Sequence, residues 1–329
     1  MKKFINAVDT MLAESLHGFT AAHSDIVALG GGGKFVRRKT LKPGKVGLLS
    51  GGGAGHEPLH AGFVGLGMLD AACPGQVFTS PTPDQMLEAA TAIDTGAGVL
   101  MIVKNYEGDV MNFDMAAEMS SGSLARVLVN DDVAVEDSLY TTGRRGVAGT
   151  LVVERIAGAA AEAGLGLDAL KALGDGTNAA IRSMGVALTS CTVPAAGKPM
   201  IEIGDGEMEF GVGIHGEPGR RRDRLRSADE IAAELCAAIA TDFGDLTGKR
   251  ALLFVNGFGG TPSMELYLMY GAARAELEKR GVVVTRSLVG SYVTSLDMAG
   301  CSITLTLLDD ELTSYWDSPV HTAALRWGV

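Results

Sequence analysis

The chain has 329 residues, of which 47% are hydrophobic and 20% are charged, and its formal net charge is −11. This composition is typical of a globular protein, and the length is sufficient for two domains. The negative charge argues against nucleic acid or an anionic membrane surface as the main partner. The chain lacks both an apolar signal core near its N-terminus and any run of about 18 apolar residues, so we expect a cytoplasmic protein.

Short apolar runs that end in glycine or polar segments recur along the chain. They lie at residues 46–50, 98–103, 124–129 and 251–255. Continuous apolar runs of this length predict the strands of a buried, mostly parallel sheet. Ligands bind at the carboxyl ends of such strands, so the segments that follow these runs are candidate sites.

Helix starts are also recognisable in the sequence. Residues 82–85 and 227–230 each combine an N-capping residue with Gln or Glu three positions later, and the second helix is predicted to end near Asp242. A third helix is predicted to begin at Pro262 and to end before Gly281.

The character of the sequence changes between residues 180 and 200, where alanine-rich helical segments give way to alternating, strand-like stretches. We therefore predict two α/β domains with mainly parallel or mixed central sheets. The N-terminal domain spans residues 1–185 and the C-terminal domain residues 186–329, with the active site between them.

Two of the six histidines lie in glycine-rich segments, His56 in residues 51–58 and His215 in residues 211–219. Glycine allows a ligand to approach the backbone closely, and imidazole changes its charge near neutral pH. Each histidine is therefore a candidate acid, base or nucleophile. The alternative at both positions is a histidine held by the hydrogen bonds of a tight turn.

Lys104 and Asp109 follow the apolar run at residues 98–103. A lysine and an aspartate at the end of a strand can polarise a substrate and accept its proton. The alternative is an ordinary ion pair in a loop. Their position after a buried strand favours the functional interpretation.

No metal site is predicted. Residues 56–60 match the H-E-x-x-H pattern of zinc proteases, but Pro58 is tolerated only in the first turn of a helix, so we interpret the match as coincidence. The four cysteines are scattered and are expected to be buried as small apolar residues.

A basic run, residues 220–226, follows the second glycine-rich segment. Such a run is often only a solvated face. Next to a candidate site it could instead attract a phosphorylated donor or an acidic carrier. The sequence leaves both interpretations open.

These segments together resemble the dihydroxyacetone-binding subunit (DhaK) of dihydroxyacetone kinases, along essentially the whole chain. The motifs that carry the resemblance lie at residues 51–58, 78–84, 103–106, 108–116, 145–149 and 206–219. Several long motifs in the same order and at the same spacing make the resemblance specific.

The resemblance implies roles for individual residues. His215 matches the histidine that binds the ketose carbonyl covalently as a hemiaminal, and His56 matches a residue that hydrogen-bonds the substrate and assists proton transfer. Asp109 matches the acidic group near the hydroxyl that is phosphorylated. The remaining substrate-binding positions are Gly53, Ala54, Gly55, Ser80 and Lys104. Ala54 departs from the family pattern, in which many members have serine.

The resemblance also implies partners. Nucleotide, as ADP or ATP with magnesium, is expected on a separate all-helical DhaL-type subunit, so this chain is expected to bind no cofactor itself, to be inactive alone and to form a homodimer. The phosphoryl donor could be a phosphotransferase system or ATP. The sequence leaves open a kinase for a four-carbon ketose such as erythrulose and a non-catalytic sensor of dihydroxyacetone, and it does not decide whether His56 or Asp109 is the base.

Overall fold

The computed structural model describes residues 2–134 and 143–329. Its strands are β1 Val27–Gly30, β2 Phe35–Arg38, β3 Gly47–Ala54, β4 Gly65–Leu66, β5 Ala71–Val77, β6 Val99–Lys104, β7 Leu124–Val129, β8 Ile181–Ala187, β9 Glu207–Phe210, β10 Arg221–Arg224, β11 Arg250–Gly257, β12 Val283–Gly290, β13 Gly300–Leu307, β14 Val320–Thr322 and β15 Arg326–Trp327. Its α-helices are α1 Met11–Ala22, α2 Pro83–Ile93, α3 Glu107–Met119, α4 Gly149–Glu162, α5 Leu167–Ala179, α6 Ala228–Phe243, α7 Ser263–Lys279 and α8 Asp310–Asp317.

Contacts divide the chain into two compact units built from interleaved segments. Unit 1 consists of Met1–Val129, Thr150–Thr177 and Leu312–Val329. Unit 2 consists of Asn130–Gly149 and Asn178–Glu311. Each unit contains a six-stranded sheet with helices packed against it, so the predicted α/β fold class is confirmed.

The sheet of unit 1 has the strand order β1-β2-β5-β3-β6-β7. Strands β5, β3, β6 and β7 are parallel, and β1 and β2 form an antiparallel edge. Strand β3 lies between two parallel neighbours and is buried along its whole length. The carboxyl ends of β3 and β6 therefore meet at one edge of the sheet, as expected for ligand-binding parallel sheets.

The sheet of unit 2 has the strand order β10-β9-β8-β13-β11-β12. Only β11 and β12 form a parallel pair, and the other neighbours are antiparallel. Helices α6 and α7 pack against it, and their buried apolar residues belong to one core with those of the strands. The Ser227–Glu230 capping box that begins α6 forms as predicted.

The units do not follow the predicted bounds of 1–185 and 186–329. Strand β8 begins at Ile181, before the predicted boundary, and belongs to the centre of the second sheet. Asp132 forms a bridge with Ser183 in β8, which brings residues 130–149 into unit 2. Pairing of β14 with β4 returns the C-terminal segment to unit 1. Pairings between segments so far apart in the sequence cannot be predicted from the local pattern of apolar residues. The predicted placement of the active site between the domains remains a prediction.

The predicted site segments lie at the ends of regular elements. The glycine run at residues 51–53 belongs to the last part of β3. Lys104 is the last residue of β6, and Asp109 lies in the first turn of α3. Among the described residues, no helix is both long and apolar enough to cross a membrane.

Candidate functional site

The glycines of β3 permit close packing at the edge of the sheet. A Cβ atom at Gly52 would lie 2.3 Å from Lys104 Nζ, and one at Gly53 would lie 2.6 Å from the backbone nitrogen of Thr79. Any larger residue at either position would displace the lysine or the loop at residues 78–79. These glycines were expected to let a ligand approach the backbone. At Gly52, however, the group that approaches closely is the amino group of Lys104.

Lys104 is fully buried. Its Nζ lies 2.8 Å from His60 Nε2, 3.3 Å from the carbonyl oxygen of Gly51 and 3.7 Å from Asp109 Oδ2. A buried ammonium group needs such partners, because the loss of hydration is costly. The structure thus brings Lys104 and Asp109 close together, and their roles in binding and catalysis remain predictions.

Asp109 is also buried, with 3% of its surface exposed. It lies in the first turn of α3, at the positive end of the helix dipole. Ser80 Oγ donates a hydrogen bond of 2.5 Å to Asp109 Oδ1. Ser80 and Lys104 are both predicted substrate-binding residues, and both lie next to the carboxylate of Asp109, the candidate base.

His56 follows β3 in a turn and is fully buried. Its ring stacks on Phe78, with ring centroids 5.1 Å apart and an interplanar angle of 21°. Gly55 has a φ of 101°, which a residue with a side chain rarely adopts, and its N–H donates to the carboxylate of Glu57. Residues 55–60 form turns and not the helix that a zinc-protease pattern requires.

A cavity of about 430 Å³ lies beside β3. Its lining includes Gly53 and Ala54, which are predicted substrate-binding positions, together with His60 and residues of α1. This volume lies within the usual range for small-molecule sites.

His60 and Glu154 also belong to this cluster, although neither was predicted as a site residue. His60 Nδ1 lies 2.6 Å from Glu154 Oε1 and 3.0 Å from Ser50 Oγ. Burial raises the pKa of Glu154 to about 8, although Lys104 opposes the rise. One sequence feature could have indicated Glu154: it is a carboxylate within the apolar stretch 151–157 of α4.

Unit 2 contains the second glycine-rich segment, between β9 and β10. The side chain of His215 is 22% exposed, and the backbone N–H of His215 donates to Glu217 Oε2 at 2.9 Å. A Cβ atom at Gly213 would lie 1.9 Å from Glu217 Oε1. Glycine at this position therefore allows Glu217 to fold back across the segment toward His215.

Glu217 joins His215 to a buried arginine. Glu217 Oε1 lies 3.9 Å from His215 Nδ1 and 3.4 Å from Arg145 Nη1. Burial by itself raises the pKa of Glu217, but His215 and Arg145 outweigh burial and lower it to about 2. Glu217 is therefore ionised at neutral pH and favours a proton on the near ring nitrogen of His215.

Arg145 is fully buried and also bonds Asp132, with Nε 2.8 Å and Nη2 2.6 Å from Asp132 Oδ2. Its Nη2 donates to the carbonyl oxygen of Gly211 at 2.6 Å, at the start of the segment that holds His215. Two guanidinium nitrogens thus share one carboxylate oxygen, and the arginine also holds the segment at Gly211 and at Glu217. Arg145 lies in the motif at residues 145–149, but no role was predicted for it.

The basic run at residues 220–226 is largely paired with carboxylates. Arg222 contacts Glu209 at 3.0 Å, Arg221 contacts Glu234 at 2.8 Å, and Arg226 also pairs with Glu234. This pairing favours the interpretation as a solvated, ion-paired face. Within residues 2–134 and 143–329, no group of three or more His, Cys, Asp or Glu residues is arranged to hold a metal ion.

Comparison with known proteins gives a consistent result. The Dak1 domain matches residues 17–324. The chain is 50% identical to the PTS-dependent dihydroxyacetone kinase 1, dihydroxyacetone-binding subunit DhaK, of Listeria innocua, over 94% of this chain and 95% of that protein. It is 46% identical to the PEP-dependent dihydroxyacetone kinase, dihydroxyacetone-binding subunit DhaK, of Escherichia coli, over 100% of both chains.

Solved structures with the same fold include the dihydroxyacetone kinase operon co-activator DhaQ. It has a TM-score of 0.89 and 33% identity to this chain, covering 95% of this chain and 97% of that one. A protein named as an operon co-activator therefore has the same architecture as this chain.

Proposed function

The chain belongs to the Dak1 domain family, and we propose that it is the dihydroxyacetone-binding subunit of a phosphotransferase-type dihydroxyacetone kinase. The observation that carries this proposal is identity of 46–50% to two such subunits over nearly the whole chain. The buried Lys104–Asp109 pair supports it, because it places a cation beside a candidate base.

Unit 1 supplies the groups for phosphoryl transfer. Asp109 accepts the proton of the substrate hydroxyl as this oxygen attacks phosphorus, and Ser80 keeps the carboxylate oriented. Lys104 compensates the charge of Asp109. His56 hydrogen-bonds the substrate and assists proton transfer. Gly53, Ala54 and Gly55 provide the backbone beside it, and the backbone contact at Ala54 does not need the serine that many family members have.

In unit 2, His215 selects the substrate by forming a covalent bond with it. With a proton on Nδ1, facing Glu217, the lone pair of Nε2 attacks the carbonyl carbon of the ketose. The C=O π bond breaks, its oxygen gains a proton and the ring loses one, so the hemiaminal forms without net proton uptake. Glycerol, which has no carbonyl, cannot form this bond.

The nucleotide belongs to a partner. We assign ADP or ATP with magnesium to a DhaL-type subunit and the phosphoryl groups to a phosphotransferase system, following the PTS- and PEP-dependent relatives. This chain then holds the sugar, as a homodimer, and turns over only when the partner is present.

Reconstitution tests the proposal directly. The chain is mixed with a DhaL-type subunit and a phosphotransferase donor, and formation of dihydroxyacetone phosphate is measured with dihydroxyacetone, erythrulose and glycerol as substrates. We expect turnover of dihydroxyacetone and none of glycerol. A higher kcat/KM for erythrulose would assign the four-carbon alternative.

Native mass spectrometry of the intact protein, after incubation with dihydroxyacetone and without any reductant, tests the covalent step. Wild type and His17→Ala, a variant of an exposed histidine, should show a dihydroxyacetone adduct, and His215→Ala should show none. An adduct of equal yield in His215→Ala would remove this histidine from the covalent role.

A second candidate function is a dihydroxyacetone sensor, which the likeness to the DhaQ co-activator favours. Formation of the adduct without turnover, whatever partner and donor are supplied, would assign this function. The higher identity to kinase subunits, 46–50% against 33%, favours the kinase.

A further inference from the structure

Four buried side chains of unit 1 form a continuous chain of contacts. Asp109 Oδ2 lies 3.7 Å from Lys104 Nζ, Lys104 Nζ lies 2.8 Å from His60 Nε2, and His60 Nδ1 lies 2.6 Å from Glu154 Oε1. The exposure of each is 6% or less. Asp109 is the proposed base and Lys104 compensates its charge, whereas His60 and Glu154 have no role in the proposed reaction and need a separate explanation.

The contacts alone admit two proton arrangements. In the first, Lys104 is an ammonium group that donates to Nε2 of His60, and Nδ1–H of His60 donates to ionised Glu154. In the second, Glu154 is protonated and donates to Nδ1, and Nε2–H of His60 donates to neutral Lys104. Burial, together with Lys104 and His56, holds the pKa of His60 well below its ordinary value, so the ring is neutral in both.

The charged and titratable groups around Glu154 come from every element packed on this cluster. Lys104 lies on β6, Asp109 on α3, and His56 and His60 in the turn after β3, while Ser50 of β3 contributes a hydroxyl group. Arg155, the next residue along α4, directs its guanidinium group to backbone oxygens of Gly67 and Trp316. Glu154 Oε2 has no hydrogen-bond partner within the described part of the chain.

We propose that Lys104, His60 and Glu154 form a buried proton relay that moves a proton from Lys104 to Glu154 when Asp109 takes up the proton of the substrate hydroxyl. The substrate proton passes to Asp109, the Lys104 proton to His60 Nε2, and the His60 Nδ1 proton to Glu154 Oε1. Neutralising Asp109 leaves Lys104 without its counter-charge, and the relay then removes the remaining buried charges. After transfer of the substrate proton, no uncompensated charge is left among these four buried side chains. This inference rests on the proposed function of Asp109.

The relay has an acceptor only when Glu154 is ionised. Burial raises the pKa of Glu154 to about 8, so Glu154 already holds a proton below this pH. We therefore expect kcat to rise as the pH increases through about 8 in wild type and to show no such rise in Glu154→Gln, which cannot accept the proton. The kcat values of wild type and Glu154→Gln should be equal at pH 6.5 and should differ by about tenfold at pH 9. This difference is smaller than the whole contribution of a general base, which is about 10²–10⁴-fold.

Asp70→Asn is the matched control. Asp70 is a buried carboxylate of unit 1 that pairs with Lys45 and is not part of the relay. A variant that only perturbs packing should lower kcat equally at both pH values, and this control should keep the rise near pH 8. If Glu154→Gln keeps the rise as well, the relay is wrong. No turnover in wild type would instead contradict the proposed kinase function.

Nitrogen NMR of ¹⁵N-histidine-labelled protein tests the relay without any turnover. Asp109→Asn mimics the protonated aspartate. At pH 9 we expect the ring proton of His60 on Nδ1 in wild type and on Nε2 in Asp109→Asn, and again on Nδ1 in the double variant Asp109→Asn/Glu154→Gln. An unchanged position of the ring proton in Asp109→Asn would overturn the relay, even if Glu154→Gln does not fold.

Discussion

Lys104 in unit 1 and Arg145 in unit 2 are both fully buried cations, but their partners differ. Arg145 directly bonds two carboxylates, Asp132 and Glu217. Lys104 is 2.8 Å from a neutral imidazole and 3.7 Å from its nearest carboxylate, Asp109. Arginine stays charged in proteins, whereas a buried lysine can lose its proton.

This difference shows how two buried cations can serve different tasks. A fixed charge that is fully paired, as at Arg145, holds a backbone segment and the ionised carboxylate beside His215. A cation with looser pairing, as at Lys104, fits the proton relay that we propose. Unit 2 therefore suits the rigid presentation that His215 needs in its proposed role, and unit 1 suits the proposed proton movement.

Asp109→Asn should have the largest effect and should sharpen the comparison. The amide cannot accept the hydroxyl proton, so we expect kcat with partner and donor to fall by about 10²–10⁴-fold, while the mass-spectrometric adduct on His215 is kept. Asp114→Asn, on the same helix but with a side chain that is 49% exposed, should retain normal kcat. Comparable turnover in Asp109→Asn would remove Asp109 from the base role and favour His56.

Arg145→Met should break the fixed-charge arrangement of unit 2. The substitution leaves Asp132 and Glu217 without their buried cation, so we expect a loss of about 3–5 kcal/mol in the free energy of unfolding, measured by urea denaturation. The matched control is Arg144→Met, because the side chain of Arg144 is 29% exposed and pairs with Asp242. Equal losses in both variants would mean that Arg145 has no special electrostatic role.

Glu217→Gln should have a smaller effect on the free energy of unfolding, and this effect should depend on pH. The pKa of Glu217 is lowered from 4.5 to about 2 in the folded state, so its stabilisation is complete above pH 4.5 and is lost as the pH falls toward 2. At about 1.4 kcal/mol per pKa unit, this stabilisation is about 3 kcal/mol.

The stability advantage of wild type over Glu217→Gln should therefore shrink between pH 5 and pH 3, as measured by urea denaturation at each pH. Glu207→Gln, whose side chain is 44% exposed, should parallel wild type throughout. A difference between wild type and Glu217→Gln that does not change with pH would show that Glu217 contributes packing and not charge.

The sequence by itself determined the α/β class, the four strands β3, β6, β7 and β11, the starts of helices α2, α6 and α7, and the segments that carry Lys104, Asp109, His56 and His215. These features are local. Apolar periodicity, capping residues and glycine runs are set by backbone geometry and burial over a few neighbouring positions. The motifs also indicated the family, because their order and spacing are properties of the sequence.

Only the tertiary structure decided which other residues contact the predicted site residues. Glu154 is 94 positions from His60, and Glu217 is 72 positions from Arg145, yet each pair is in contact. The interleaving of the two units has the same origin, in strand pairings such as that of β14 with β4. Such contacts form where burial forces polar groups to find partners, and this requirement depends on the packed fold and not on local sequence.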